Sequence, residues 1–220
     1  MDNRDPQPGG LLASLNRVLV LCAHTDDEFG CAGTIYRLVQ ARIEIRYVAL
    51  SRCEASVPEP YPRDILETEC RNCTRRLGIS EDGVEVWEYP VRYFPDHRQD
   101  ILERFVRLNH EYKPDAVFLP SSFDTHQDHS TVSQEGFRAF KFASIIGYEL
   151  PQNLNSFDNT AFVRLSEECI GQKIYALSSY ESQAFRPYSS PDYIRALARV
   201  RGVQCNSMYA EAFEVIRLVI

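Results

Sequence analysis

The sequence predicts a doubly wound α/β fold: one domain, a mostly parallel sheet, and helices on both of its faces. Three observations predict it. Short apolar, β-branched runs alternate with amphipathic helical segments; the runs lack the in-out alternation of a half-exposed strand; and breaker residues separate the segments at short intervals. At 220 residues the chain can enclose a sizeable core within one compact domain.

The chain begins with a polar, breaker-rich stretch that ends at Gly9-Gly10. It lacks the apolar segment of a signal peptide, so residues 1–16 read as a flexible leader and 17–220 as the domain. Arg17 to Ala23 is a short apolar run, expected to be a strand buried on both faces. A helix follows from about Gly30 to Ala41, then a strand from Glu44 to Leu50. Arg63 to Leu77 forms a charged helix that Gly78 closes, the residue best suited to a left-handed C-terminal cap. Val84 to Tyr89 is the next strand. From about Gln99 to Tyr112, Ile101, Leu102, Phe105, Val106 and Leu108 fall on one side at helical spacing. Lys113-Pro-Asp115 breaks that helix, and Ala116 to Leu119 is another buried strand. Further on come a strand near Ile145 to Leu150, a polar loop from Pro151 to Asn159, and a strand from Ala161 to Leu165. Helices over Glu167 to Tyr180 and Pro191 to Arg201 and a last strand from Phe213 to Val219 complete a Rossmann-like order.

Composition narrows the function. The chain is 44% hydrophobic and 25% charged with a formal net charge of -7, which fits a folded protein and argues against nucleic acid, whose phosphates call for clustered Lys and Arg. The only lysines are Lys113, Lys141 and Lys173, and the arginines are scattered. No apolar run approaches the roughly 20 residues that span a bilayer. The expectation is a soluble cytoplasmic protein without a membrane partner, and a homo-oligomer is compatible with the sequence. Seven cysteines is an odd count, so reduced thiols are expected. The Cys70-Arg-Asn-Cys73 spacing falls inside a helix and reads as buried, inert sulfur.

Two loops carry chemistry. Ala23-His24-Thr25-Asp26-Asp27-Glu28 follows the first strand, and Phe123-Asp124-Thr125-His126-Gln127-Asp128-His129 follows the strand that ends near Leu119. In an open α/β sheet, ligands bind at the carboxyl ends of the strands. Within each loop two potential ligands stand three residues apart, His24 with Asp27 and His126 with His129. Together the loops can supply two His and one Asp to a metal, plus a further His and several carboxylates. A solvated helix N-terminus or a chance surface pairing would explain either loop alone, but three of the five histidines lie in these two strand-end loops. His97 and His110 stand apart, and Gly30-Cys-Ala-Gly33 lacks the spacing of a dinucleotide-binding fingerprint.

These motifs resemble those of the LmbE-like, or PIG-L-like, zinc de-N-acetylases, whose first motif reads Ala/Pro-His-Pro-Asp-Asp-Glu and whose second reads His-Pro-Asp-His. The resemblance extends to Glu69 with Leu77-Gly78, to Lys173, Ser182-Gln183 and Tyr209-Ala-Glu-Ala-Phe213. It implies His24, Asp27 and His129 as zinc ligands, Asp26 as general base, and His126 as a charged catalytic histidine oriented by Asp128. Three protein ligands and an open fourth position suit one catalytic Zn²⁺ per chain, which Fe²⁺ or Co²⁺ could replace. Thr25 and Gln127 stand where the family has Pro, and Cys53, within Ser51-Arg-Cys-Glu54, where Gly is usual. Arg52 is a candidate substrate-binding residue, with a structural ion pair the alternative.

The implied activity is removal of an N-acetyl group from an amino sugar or amino-sugar conjugate of the N-acetylglucosamine type, with a small N-acetylated sugar as partner. Two alternatives are an amidase acting on a larger conjugate or a longer acyl chain, and a catalytically silent metal- or sugar-binding protein. An intact Asp26 speaks against the last.

Overall fold

The computed structural model describes residues 14–219. The expected leader falls outside that span except for Ser14, Leu15 and Asn16. The elements are β1 (Arg17–Cys22), α1 (Ala32–Gln40), β2 (Glu44–Ala49), α2 (Ile65–Leu77), β3 (Val84–Val86), α3 (Arg98–Tyr112), β4 (Ala116–Pro120), α4 (Gln127–Ala139), β5 (Ser144–Tyr148), β6 (Ala161–Leu165), α5 (Glu167–Leu177), α6 (Pro191–Gln204) and β7 (Tyr209–Arg217).

One seven-stranded sheet runs in the order β3-β2-β1-β4-β5-β7-β6. Its first five strands pair in parallel, while β7 is antiparallel to both β5 and β6. The doubly wound, mostly parallel fold is therefore present, with an antiparallel pair at one edge. β1 shows why its run is apolar throughout. Val18, Val20 and Cys22 enter a core shared with α1, α2, α5 and α6, and Leu19, Leu21 and Ala23 enter a second core under α3 and α4. Successive side chains point to opposite faces, so a strand covered on both sides needs apolar residues at every position.

Several boundaries shift for local reasons. β3 stops at Val86, yet the Trp87 and Tyr89 amides still donate to the carbonyls of Ala49 and Leu50, so the expected pairing continues without regular geometry. α5 ends at Leu177, and Tyr180 beyond it turns inward to bond the Thr25 carbonyl. Gly78 closes α2 at φ 88°, the left-handed cap expected of it. Gly30 is needed for close approach, because a Cβ there would lie 2.8 Å from Tyr148 and 2.9 Å from the Glu149 carbonyl.

From β1 the chain crosses to β2 on one side, and later to β4 on the other. The crevice outside the carboxyl ends of β1 and β4 is thus the switch point where open α/β sheets bind ligands. The two chemistry-bearing loops leave from these adjacent strands. Among the described residues no helix is long and apolar enough to cross a membrane.

Candidate active site

The loop after β1 is fastened from below. Glu28 is fully buried and accepts a hydrogen bond from Tyr47 at 2.7 Å and another from Tyr180, and both hydroxyls also reach the Thr25 carbonyl. Burial lifts the Glu28 carboxyl to about 7. From above, the His24 amide donates to Asp27 Oδ2 at 2.9 Å, closing the turn that sets both side chains toward the crevice.

The second loop is organised by Asp124. Its Oδ1 accepts from the His126 amide at 2.9 Å, and its Oδ2 lies 2.7 Å from His129 Nδ1. That contact assigns the proton to His129 Nδ1 and leaves Nε2 directed at the crevice. Asp128 does the same for His24, with Oδ2 3.0 Å from His24 Nε2, so that His24 presents Nδ1. The Asp128 carboxylate also accepts the amides of Arg92 at 2.6 Å and Phe94 at 3.2 Å.

His24 Nδ1 and His129 Nε2 consequently face each other at 2.9 Å, with Asp27 Oδ1 3.6 Å from the first and 3.3 Å from the second. A tetrahedral metal with bonds of about 2.0–2.1 Å requires ligand-to-ligand edges of about 3.3 Å, and this triangle has that size. Three electron pairs aimed at one point repel unless a cation, proton or metal, lies among them. Charges follow suit. Burial opposes ionisation of both partners, but Asp27 and then Asp124 raise His129 to about 10, while His129 and His24 hold Asp27 well below the usual carboxylate range. His126 brings a third imidazole, its ligand atom within 4.8 Å of the other two.

The expected partnership of Asp128 with His126 is not formed. The Asp128 carboxylate holds His24, and only its backbone amide reaches His126 Nδ1, at 3.2 Å, where His126 caps α4. Nor is His126 charged: burial, then the neighbouring His24 and His129, push it down to about 4. It is a neutral imidazole whose Nδ1 accepts, which places a proton on Nε2.

Asp26 differs from its neighbour in every respect that matters here. Its carboxylate forms no ion pair and no hydrogen bond with another side chain among the described residues, and burial followed by the Asp27 charge raises its pKa. It lines a cavity of about 220 Å³ together with His24, Asp27, His126 and His129. Arg52 is absent from that cavity. Its Nε lies 2.9 Å from Glu67, close enough to pair as ions though off-line for a hydrogen bond, and its Nη2 lies 2.8 Å from Glu88. The ion-pair alternative therefore describes it, and it faces an adjoining cavity.

Sequence reasoning did not find Asp124, Arg92, Asn153, Arg186 or Tyr188, although the last four line the cavity. Asp124 lies within the second loop, but nothing in its spacing shows that it holds His129. Arg186 follows Ser182-Gln183 by three residues and donates to Gln183 at 2.7 Å, and that proximity was the one available signal. Cys70 and Cys73 are buried free thiols in the core, as expected.

Solved structures share this fold. N,N'-diacetylchitobiose deacetylase from Pyrococcus horikoshii is 20% identical at a TM-score of 0.77, with 92% of this chain and 84% of that one covered. A conserved protein from Thermus thermophilus is 24% identical at 0.76, covering 94% and 96%. GalB, the 4-carboxy-2-hydroxymuconate hydratase from Pseudomonas putida, is 19% identical at 0.76, covering 93% and 98%. Deacetylation and hydration thus occur on one fold, and the fold alone does not choose between them. Residues 19–140, more than half of the chain, match the family described as PIG-L: GlcNAc-PI de-N-acetylase. With that match, the chain belongs to the PIG-L, or LmbE-like, de-N-acetylase family.

Proposed function

We propose that this protein is a metal-dependent hydrolase that removes the N-acetyl group from an amino sugar or amino-sugar conjugate. The observation that carries the reading is the convergence of His24 Nδ1, Asp27 Oδ1 and His129 Nε2 at metal-ligand spacing, with an uncommitted carboxylate, Asp26, on the same cavity wall.

Two imidazoles and one carboxylate are the donor set of a catalytic zinc site that keeps a position open, and Fe²⁺ or Co²⁺ accept the same donors. His24, Asp27 and His129 would hold one such ion per chain. When bound, it supplies Lewis acidity toward the amide oxygen and makes water more acidic. Asp26, with its raised pKa, takes the proton from the water that attacks the amide carbon. His126 donates its Nε2 proton as a hydrogen bond to the oxygen that gains charge as the carbonyl becomes tetrahedral. The proton held by Asp26 then passes to the departing nitrogen, so that the amide and water become acetate and an amine. Asp124 and Asp128 position His129 and His24 and raise their basicity.

A small acyl group is the reading supported by a recess beside the cavity. It shares Phe29, Leu150, Gln152 and Tyr188 with the cavity and continues to Ile194 and Ala198, with a volume of only about 30 Å³. An acetyl methyl suits a recess of this size. A screen of N-acetylated amino sugars, with acetate and free amine measured with and without chelator, tests the function. We expect release from at least one sugar, abolished by the chelator and restored by Zn²⁺. Failure to release acetate from any of them at full metal occupancy would overturn it.

A further inference from the structure

The chain that follows β5 reaches the ligand triangle although it belongs to neither of the chemistry-bearing loops. β5 pairs in parallel with β4, with Tyr148 opposite Pro120, so the two strands release their loops side by side. Pro151, Gln152 and Asn153 make one turn of 3₁₀ helix, closed by the Asn153 amide donating to the Leu150 carbonyl at 2.9 Å. This turn is tied to the second loop. The Asn153 carbonyl accepts from the Thr125 amide at 3.1 Å and from the Thr125 hydroxyl at 2.8 Å, and Leu154 pairs with Asp124 in an isolated antiparallel bridge.

That register delivers the Asn153 side chain to Asp124. Its Nδ2 lies 3.4 Å from Asp124 Oδ2 and 3.4 Å from His129 Nδ1, alongside the 2.7 Å contact that joins those two atoms. The proton of His129 Nδ1 points at Asp124, so this nitrogen has no lone pair to offer, and the Asn153 amide donates to the carboxylate. Charge fixes the amide's orientation, because its oxygen in the same place would face a carboxylate oxygen. Asp124 is buried and is thereby held from two sides. Oδ1 accepts from the His126 amide at 2.9 Å, and Oδ2, the oxygen that sets the His129 ring, has Asn153 as its second donor. Without that donor the one partner left to Oδ2 among the described residues is the ring it orients, and carboxylate and ring can tilt together.

We propose that Asn153 is a positioning residue of the metal site. By fixing Asp124 it fixes the plane of the His129 ring, and so the aim of His129 Nε2 at the point it shares with His24 Nδ1 and Asp27 Oδ1. The inference rests on the metal-binding part of the proposed function and extends the site to a third strand end. Partners directly behind a metal ligand are worth about 10- to 100-fold in metal affinity. Asn153 stands one residue further back and acts through a long hydrogen bond, so its share is smaller.

The test uses Asn153→Leu, which has nearly the same shape and keeps the main-chain bonds but lacks the donor. Affinity for Zn²⁺ is measured by competition with a chromophoric chelator, and the His129 Nδ1 proton is followed by NMR in the metal-free protein. Neither readout needs a sugar. Zn²⁺ affinity should fall about five- to tenfold, and the His129 proton resonance should move or broaden. At saturating Zn²⁺ a responsive N-acetylated sugar should show a lower kcat with KM changed by less than about twofold. Thr125→Val, which removes one of the two bonds on the Asn153 carbonyl, should produce the same changes to a smaller extent. Unchanged Zn²⁺ affinity with an unchanged His129 resonance in Asn153→Leu would overturn the proposal. So would wild-type Zn²⁺ affinity with a raised KM, which would make Asn153 a substrate ligand. If the wild type binds Zn²⁺ but releases acetate from no sugar, the deacetylase reading fails by itself, and the affinity and the resonance still decide the role of Asn153.

Discussion

Asp26 and Asp27 are adjacent and identical in composition, yet their surroundings give them different chemistry. Asp27 is held ionised by His129 and His24, while Asp26 forms no side-chain hydrogen bond or ion pair among the described residues and has a raised pKa. Asp26→Asn keeps the shape and removes the basic oxygen, so metal content should be unchanged and the rate should fall roughly 100- to 10,000-fold. Asp27→Asn exchanges an anionic ligand for a neutral one, and its main defect should be weaker metal binding, partly recovered by excess Zn²⁺. Metal analysis and acetate release on both variants separate the roles, and loss of metal by Asp26→Asn with rescue by Zn²⁺ would reverse them. The residue types of the site were legible in the sequence because few other reasons bring His and Asp together at two strand ends. The pairing of carboxylate with histidine was not. α4 begins at Gln127, and the direction of that first turn sends Asp128 across to His24 while Asp124, before the helix, reaches His129. Spacing alone does not encode that direction.

At the scale of elements, β7 holds both active loops. Glu211 accepts from the amides of Gly33 and Thr34 at the start of α1, and from Lys173 at 2.7 Å. Glu214 accepts from the Ser121 hydroxyl and from the amide and hydroxyl of Ser122, just before the second loop. A buried glutamate at Glu211 also explains why the sequence reading began the last strand at Phe213 and not at Tyr209. Charge usually marks an exposed position, and the distant Lys173, the helix amides and the Thr34 hydroxyl make Glu211 tolerable here. Lys173→Met removes the cation from a pair whose side chains are 7% and 5% exposed. The expected cost is about 3–5 kcal/mol, read as a lower midpoint in denaturant unfolding. A change under about 1 kcal/mol would mean that the helix amides suffice to hold Glu211.

For the whole molecule, the parallel region was legible because strands covered on both faces are apolar at every position, as in β1. The antiparallel edge was not, because β7 carries the polar residues that fasten loops. This division of labour bears on metal removal. Both hydrophobic cores are complete without the ligand triangle, which sits on the rim, so chelation should leave the protein folded. The most direct test titrates chelated protein with Zn²⁺ while bound metal, far-ultraviolet circular dichroism and acetate release from a responsive N-acetylated sugar are followed together. The expected result is an unchanged fold throughout and a rate that rises from background in proportion to bound metal until one ion per chain is reached. Full activity in the metal-free protein, or one tightly bound ion per chain with no deacetylation of any amino sugar, would contradict the proposed function.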